Sequence, residues 1–163
     1  MRFDPLSMCR ILNQTGVDYV VLGGFATAVL GSSLPTEDID VLPSRDTENL
    51  ERLAMALNQM NAQVRTSGDP VPVSIDAGFL EQMRVILNLV TDFGMLDLTF
   101  TPTGPKPDYE SWDESASDEE IAESLSIRVA SLGDIIASKE AAGREKDLRA
   151  LPYLRSLIKL PKE

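Results

Sequence analysis

The stretch 18-DYVVLGGFATAVLGSSLPTEDIDVL-42 constrains the chain more than any other. DYVVL is apolar and β-branched, the composition of a buried strand. Gly23–Gly24 follows it, then a short helical run, FATAVLG, and a loop ended by Pro35. EDIDVL (37–42) reads as a second strand. Thirteen residues separate Gly24 from Asp38, enough for one short helix and a return to the adjacent strand. Along a strand, residues i and i+2 share a face roughly 7 Å apart. Asp38 and Asp40 therefore point one way, and Ile39 points into the core. Two such carboxylates repel each other unless a cation or protons lie between them.

MLDLTF (95–100) repeats the arrangement: Asp97 is an acid inside an apolar strand, with Leu96 and Leu98 facing the other way. Three carboxylates form a hard oxygen set of the kind that suits Mg²⁺, and two ions about 3.5–4 Å apart can serve a phosphoryl centre. Mn²⁺ is compatible with the same ligands. The glycines answer a second need. A strand that turns through bare backbone into a helix offers N–H groups to phosphate, with no Cβ in the way. Each piece also has a plain structural reading: a tight turn, the wet face of an edge strand, a lone exposed acid. Their conjunction favours one site.

Elsewhere the chain alternates helices and strands. Asp4 caps a helix begun at Pro5, and Asp46 or Thr47 caps another that runs to about Met60. Residues 61–75 read as irregular, IDAGFLEQM as a short helix and RVILNLVT (84–91) as a strand. SLSIRVA (124–130) alternates like a strand, Ser131 caps a helix ending near Gly143, and a last helix covers about 145–158. The expectation is one α/β domain, a small sheet flanked by helices, with its core over about 17–100, an acidic loop over 101–123, and a C-terminal strand and helices over 124–160.

Composition excludes several chemistries. With no histidine among 163 residues, His-based triads, His zinc sites and imidazole bases are absent. Cys9 is alone and reads as a small buried hydrophobe. No apolar run approaches the roughly 20 residues of a membrane span, and the start MRFDPLSMCRIL lacks a signal-peptide core, so a cytoplasmic location is expected. The net charge of −11 is uneven. Residues 108–123 carry eight acids and no base, whereas 124–163 carry five acids and eight bases. The acid run reads as a solvated loop or a surface for a basic partner.

The pattern of hydrophobic-Gly-Gly, a gap, Asp-h-Asp-h and a later h-Asp-h resembles the nucleotidyltransferase fold of the DNA polymerase beta superfamily. GGFATAVLG…TEDIDVL, VTDFGMLDLTF and VASLGDIIASKEAAGREKDLRALPYL together resemble the AbiEii-type toxin nucleotidyltransferases of type IV toxin–antitoxin systems, over about residues 17–155. The resemblance implies a small mixed sheet with a C-terminal helical segment. It implies two Mg²⁺ ions on Asp38, Asp40 and Asp97, and a nucleoside triphosphate such as ATP near Gly23, Gly24 and Thr36. It further implies Lys139 as a triphosphate contact, Asp147 as a catalytic or site-organising acid, and Arg144 as a further phosphate contact. Many members carry serine second in the glycine motif; Gly24 replaces it here, so that hydroxyl's contact is either lost or moved to a residue such as Ser32 or Ser33. The implied reaction transfers a nucleotide to an acceptor hydroxyl, with the tRNA 3′ end as acceptor and a cognate antitoxin as partner. Two alternatives stand: a small cationic acceptor such as an aminoglycoside, drawn by the 108–123 acids, or a non-catalytic protein that binds nucleotide or an antitoxin.

Overall fold

The computed structural model describes residues 2–158. Seven strands form one mixed sheet, and seven helices flank it. In chain order the elements are α1 (Pro5–Gln14), β1 (Tyr19–Leu22), α2 (Gly23–Val29), β2 (Asp38–Pro43), α3 (Thr47–Gln59), β3 (Gln63–Val64), α4 (Ala77–Glu81), β4 (Ile86–Thr91), β5 (Gly94–Thr99), α5 (Tyr109–Asp113), β6 (Ser117–Ala122), β7 (Leu125–Val129), α6 (Leu132–Ala142) and α7 (Glu145–Ile158). The strand order is β3-β4-β5-β2-β1-β7-β6. β2 runs antiparallel to β1 and parallel to β5, so the two strands carrying the sequence-marked acids are neighbours.

Alternation sorts the two faces. Ile39 and Val41 on β2, Leu96 and Leu98 on β5, and Leu87 and Leu89 on β4 are buried in the main core. Met8 and Leu12 of α1 and Leu50, Leu53 and Leu57 of α3 join that core, each helix presenting one apolar face. Asp4 caps α1 through its bond from the Ser7 N–H at 3.0 Å, with Pro5 in the first turn. Cys9 is fully buried, and desolvation pushes its thiol up to about 12, as expected of a small core hydrophobe. A second cluster, Ile136 with Leu151 and Leu154, joins α6 to α7. Gly143 ends α6 in the left-handed region, φ 64°, which lets the chain reverse into α7. Among the described residues no helix is long and apolar enough to cross a membrane.

Two expectations require correction. The acidic stretch 101–123 is not a continuous loop. Asp108 and Ser111 form a capping box for α5, and β6 pairs antiparallel with β7 as the sheet's edge strand. Asp118, Glu119 and Glu120 lie on that edge, where charge is tolerated and unwanted pairing is discouraged. The stretch 61–75, read as irregular, contains β3, held by β4 and by a bridge between Val64 and Val71. Residues beyond Ile158, part of the expected C-terminal segment, lie outside the described residues.

Candidate active site

The parallel register of β2 and β5 sets Asp40 directly beside Asp97. Asp38, two residues earlier on β2, shares their face, and its charge adds to the rise of the Asp97 carboxyl. All three line a pocket of about 900 Å³ bounded by β1, α2, β4, α6 and the start of α7. Asp97 is only 7 % exposed. Burial, then the charges of Asp97 and Asp38, push the Asp40 carboxyl up to about 7. Burial likewise raises Asp97 to about 6, against the pull of Arg65 and with Asp38 adding to the rise.

Gly23 opens α2 at φ 69°, a conformation costly for other residues. A Cβ there would stand 2.2 Å from Asp40 Oδ2, so the glycine leaves the space the carboxylate occupies. At Gly24 a Cβ would stand 3.0 Å from Thr36 Oγ1. The Thr36 hydroxyl thus fills the space a serine at position 24 would need, and it donates to Asp38 O at 3.0 Å. From the sequence, that hydroxyl's contact is either lost or moved to Ser32 or Ser33. The structure brings neither into the pocket. Ser32 Oγ accepts from the Leu34 N–H, and Ser33 bonds the Tyr153 hydroxyl through its N–H at 2.9 Å and its Oγ at 3.0 Å. These bonds tie the loop before Thr36 to α7.

Lys139, Arg144 and Lys146 line the wall formed by α6 and α7. Asp147, 1 % exposed, receives Arg144 Nε at 2.7 Å and faces Lys139 Nζ at 3.5 Å. Burial opposes its ionisation, but the Arg144 bond and the two cations outweigh that and hold the carboxyl below the usual range. Both of its oxygens are engaged by cations, Oδ2 by Arg144 and Oδ1 by Arg144 and Lys139.

Arg65 escaped the sequence reading. It follows a two-residue strand in a stretch without hydrophobic alternation, so nothing local marks it. Its guanidinium meets Asp97 Oδ1 at 3.0 Å, while its Nη1 is buried without a partner among the described residues.

As the side chains stand, no group of three or more His, Cys, Asp or Glu among the described residues could hold a metal ion. The donor set nonetheless suits a hard divalent cation: adjacent buried carboxylates, raised by burial and mutual repulsion, gain charge compensation from one.

The fold is the nucleotidyltransferase fold, shared with solved structures that include the following two. One is a candidate nucleotidyltransferase, TM1012, from Thermotoga maritima: 16% identity, 92% of this chain and 89% of that chain covered, TM-score 0.58. The other is the lincosamide antibiotic adenylyltransferase LnuA in its lincomycin-bound form: 14% identity, 96% and 99% coverage, TM-score 0.64. No family model matches the sequence, and no curated protein matches it significantly. At these identities the likeness establishes the fold.

Proposed function

We propose that the chain is a metal-dependent nucleotidyltransferase that moves a nucleoside monophosphate from a nucleoside triphosphate to a hydroxyl of a small-molecule acceptor. The observation that carries this is the side-by-side placing of Asp40 and Asp97, with Asp38, opposite the Lys139–Asp147–Arg144 cluster in one pocket. The acceptor oxygen forms a bond to the α-phosphorus, the bond from that phosphorus to the α,β-bridging oxygen breaks, pyrophosphate leaves, and the hydroxyl proton is released. Mg²⁺, or Mn²⁺, held by Asp38, Asp40 and Asp97 would supply charge compensation and lower the acceptor's pKa.

The chain's own groups do the rest. Gly23 and Gly24 line the pocket beside Thr36, and the phosphates would sit against that bend. Lys139, positioned by Asp147, offsets charge on the departing pyrophosphate, with Arg144 and Lys146 beside it. LnuA, an adenylyltransferase seen with lincomycin bound, supports a small-molecule acceptor by analogy of fold.

A second reading keeps the tRNA 3′ end as acceptor and makes the chain a toxin with a cognate antitoxin. The basic balance of residues 124–163 and the exposed Arg144 and Lys146 favour it. The net charge of −11 opposes it, because RNA affinity depends on neutralising phosphates.

Incubation with each α-labelled triphosphate, Mg²⁺ and either total tRNA or a panel of hydroxylated small molecules tests these readings. Label on a small molecule supports the first and label on RNA the second. Absence of transfer and of Mg²⁺-dependent triphosphate binding leaves a non-catalytic protein. Asp38→Ala and Asp40→Ala should each abolish transfer; undiminished turnover in the double variant removes the pair from the mechanism.

A further inference from the structure

The pocket is chemically divided. Its three lining cations all come from α6, α7 and their junction: Lys139 in α6, Arg144 between the helices and Lys146 in α7. The wall formed by the start of β4 and the end of β5 carries no lysine or arginine; it consists of Val85, Ile86, Thr99, Thr101, Pro102 and Thr103. Val85 is 58% exposed and Ile86 49%, high for large aliphatic side chains at the rim of a concave site. Register fixes where this apolar surface lies. Ile86 stands opposite Thr99, and Thr99 is two residues past Asp97 on the same face, a spacing of roughly 7 Å. The exposed aliphatic patch therefore adjoins Asp97, away from the cations assigned to the triphosphate.

We infer that the β4–β5 half of the pocket binds a neutral small molecule carrying an apolar face next to its reactive hydroxyl. This rests on the nucleotidyl-transfer reading and specifies its acceptor. A polyanionic acceptor finds no cation on this wall to neutralise its phosphates. A polycationic acceptor finds no carboxylate there, since Asp38, Asp40 and Asp97 are assigned to metal, Asp147 is held by Arg144 and Lys139, and Glu37 lies on the loop beside Thr36. The Thr99 and Thr103 hydroxyls supply hydrogen bonds for orientation, Thr101 donating its own to Arg84 O at 2.6 Å, and Val85 and Ile86 supply contact area.

The test compares hexyl β-D-glucopyranoside with methyl β-D-glucopyranoside, which have the same hydroxyls and differ in apolar face. Binding of each to the full chain is measured by calorimetry with Mg²⁺ and a non-hydrolysable triphosphate analogue present. The hexyl glycoside should bind at least about tenfold more tightly. Val85→Thr/Ile86→Thr, which keeps β-branched side chains in the strand, should erase that preference and leave the affinity for the triphosphate analogue unchanged. Equal binding of the two glycosides overturns the inference, as does transfer to kanamycin or total tRNA that the double variant leaves unchanged. Failure of the unmodified chain to bind the triphosphate analogue is a separate result, and it sinks the transferase reading underneath.

Discussion

Arg65 donates from Nη2 to Asp97 Oδ1 at 3.0 Å, reaching from the end of β3 across β4 to β5. The contact leaves Asp97 Oδ2 free of Arg65 and leaves Nη1 buried without a hydrogen-bond partner among the described residues. A largely buried carboxylate next to two others has strong reason to take up a proton or turn away. The guanidinium holds it in place and lowers a pKa that burial has raised. Arg65 thus acts through Asp97 and is a positioning residue.

Arg65→Met should therefore raise the Asp97 carboxyl further above about 6 and release its orientation. Turnover should fall by about 10–100-fold, the usual loss when a group orienting a ligand is removed, with the triphosphate KM little changed. The acidic limb of the pH–rate profile should move to higher pH, and Arg65→Lys should restore part of both effects. A purely structural Arg65 would lower thermal stability without moving the pH profile.

Stability of the metal-free chain should fall as pH rises. The Asp40 carboxyl lies at about 7 against a usual 3.8, and Asp97 at about 6, so between those limits the folded chain holds protons the unfolded chain releases. The advantage is complete below about pH 4 and gone above pH 7. Asp147 works oppositely: its carboxyl is held low, so its contribution is lost as pH falls below 3.8. Asp40→Asn should raise the Tm at pH 8, by an amount equivalent to about 1–3 kcal/mol, and leave it almost unchanged at pH 4. Mg²⁺ at pH 8 should raise the Tm of the unmodified chain and not of Asp40→Asn. Equal Tm differences at both pH values would show that repulsion does not govern the pair.

The readable parts of this site were those with a local signature. Alternation placed Asp38, Asp40 and Asp97 on one face, and the register of β2 with β5 realises that expectation. Gly23–Gly24 was legible because a strand-to-helix turn needs positive φ, and Gly23 has it. Pairings that depend on distant chain segments were hidden. Arg65 meets Asp97 across 32 positions, and Ser33 meets Tyr153 across 120. Asn49 clamps the ends of β1 and β2 by accepting from the Asp18 N–H and donating to Asp18 O and Ser44 O. Its helix pattern foretold only a buried face. The acidic segment misled because eight acids without a base suggest a solvated loop, whereas an edge strand needs one apolar partner strand and tolerates charge.

Gly23→Ala isolates the backbone requirement. The added Cβ would meet Asp40 Oδ2 at 2.2 Å, and φ 69° strains an L-residue. Asp40 must move, so transfer should fall at least about a hundredfold, while strain costs about 1–2 kcal/mol. Gly24→Ser probes the neighbour. Its Cβ presses on Thr36 Oγ1 at 3.0 Å, so Gly24→Ser/Thr36→Ala should outperform Gly24→Ser alone, the hydroxyl having been returned to position 24. Steady-state labelling with circular dichroism melts separates the two effects.

Asp147→Asn tests whether the α6–α7 cations are organised or merely nearby. The carboxylate is almost fully buried against Arg144 and Lys139, and removing its charge leaves both cations without their anchor. Truncating one partner of a buried pair usually costs about 3–5 kcal/mol; the exposure of Arg144, 63% for its side chain, allows that cation to rehydrate and places the expected loss near the lower end. Lys139, freed from Asp147, should meet the triphosphate less well, raising its KM about tenfold or more with a smaller change in kcat. Asp147→Glu should recover the charge but misplace it, giving intermediate affinity. If Asp147→Asn instead abolished kcat with KM unchanged and the fold intact, Asp147 would belong to the reacting centre and its organising role would have to be given up.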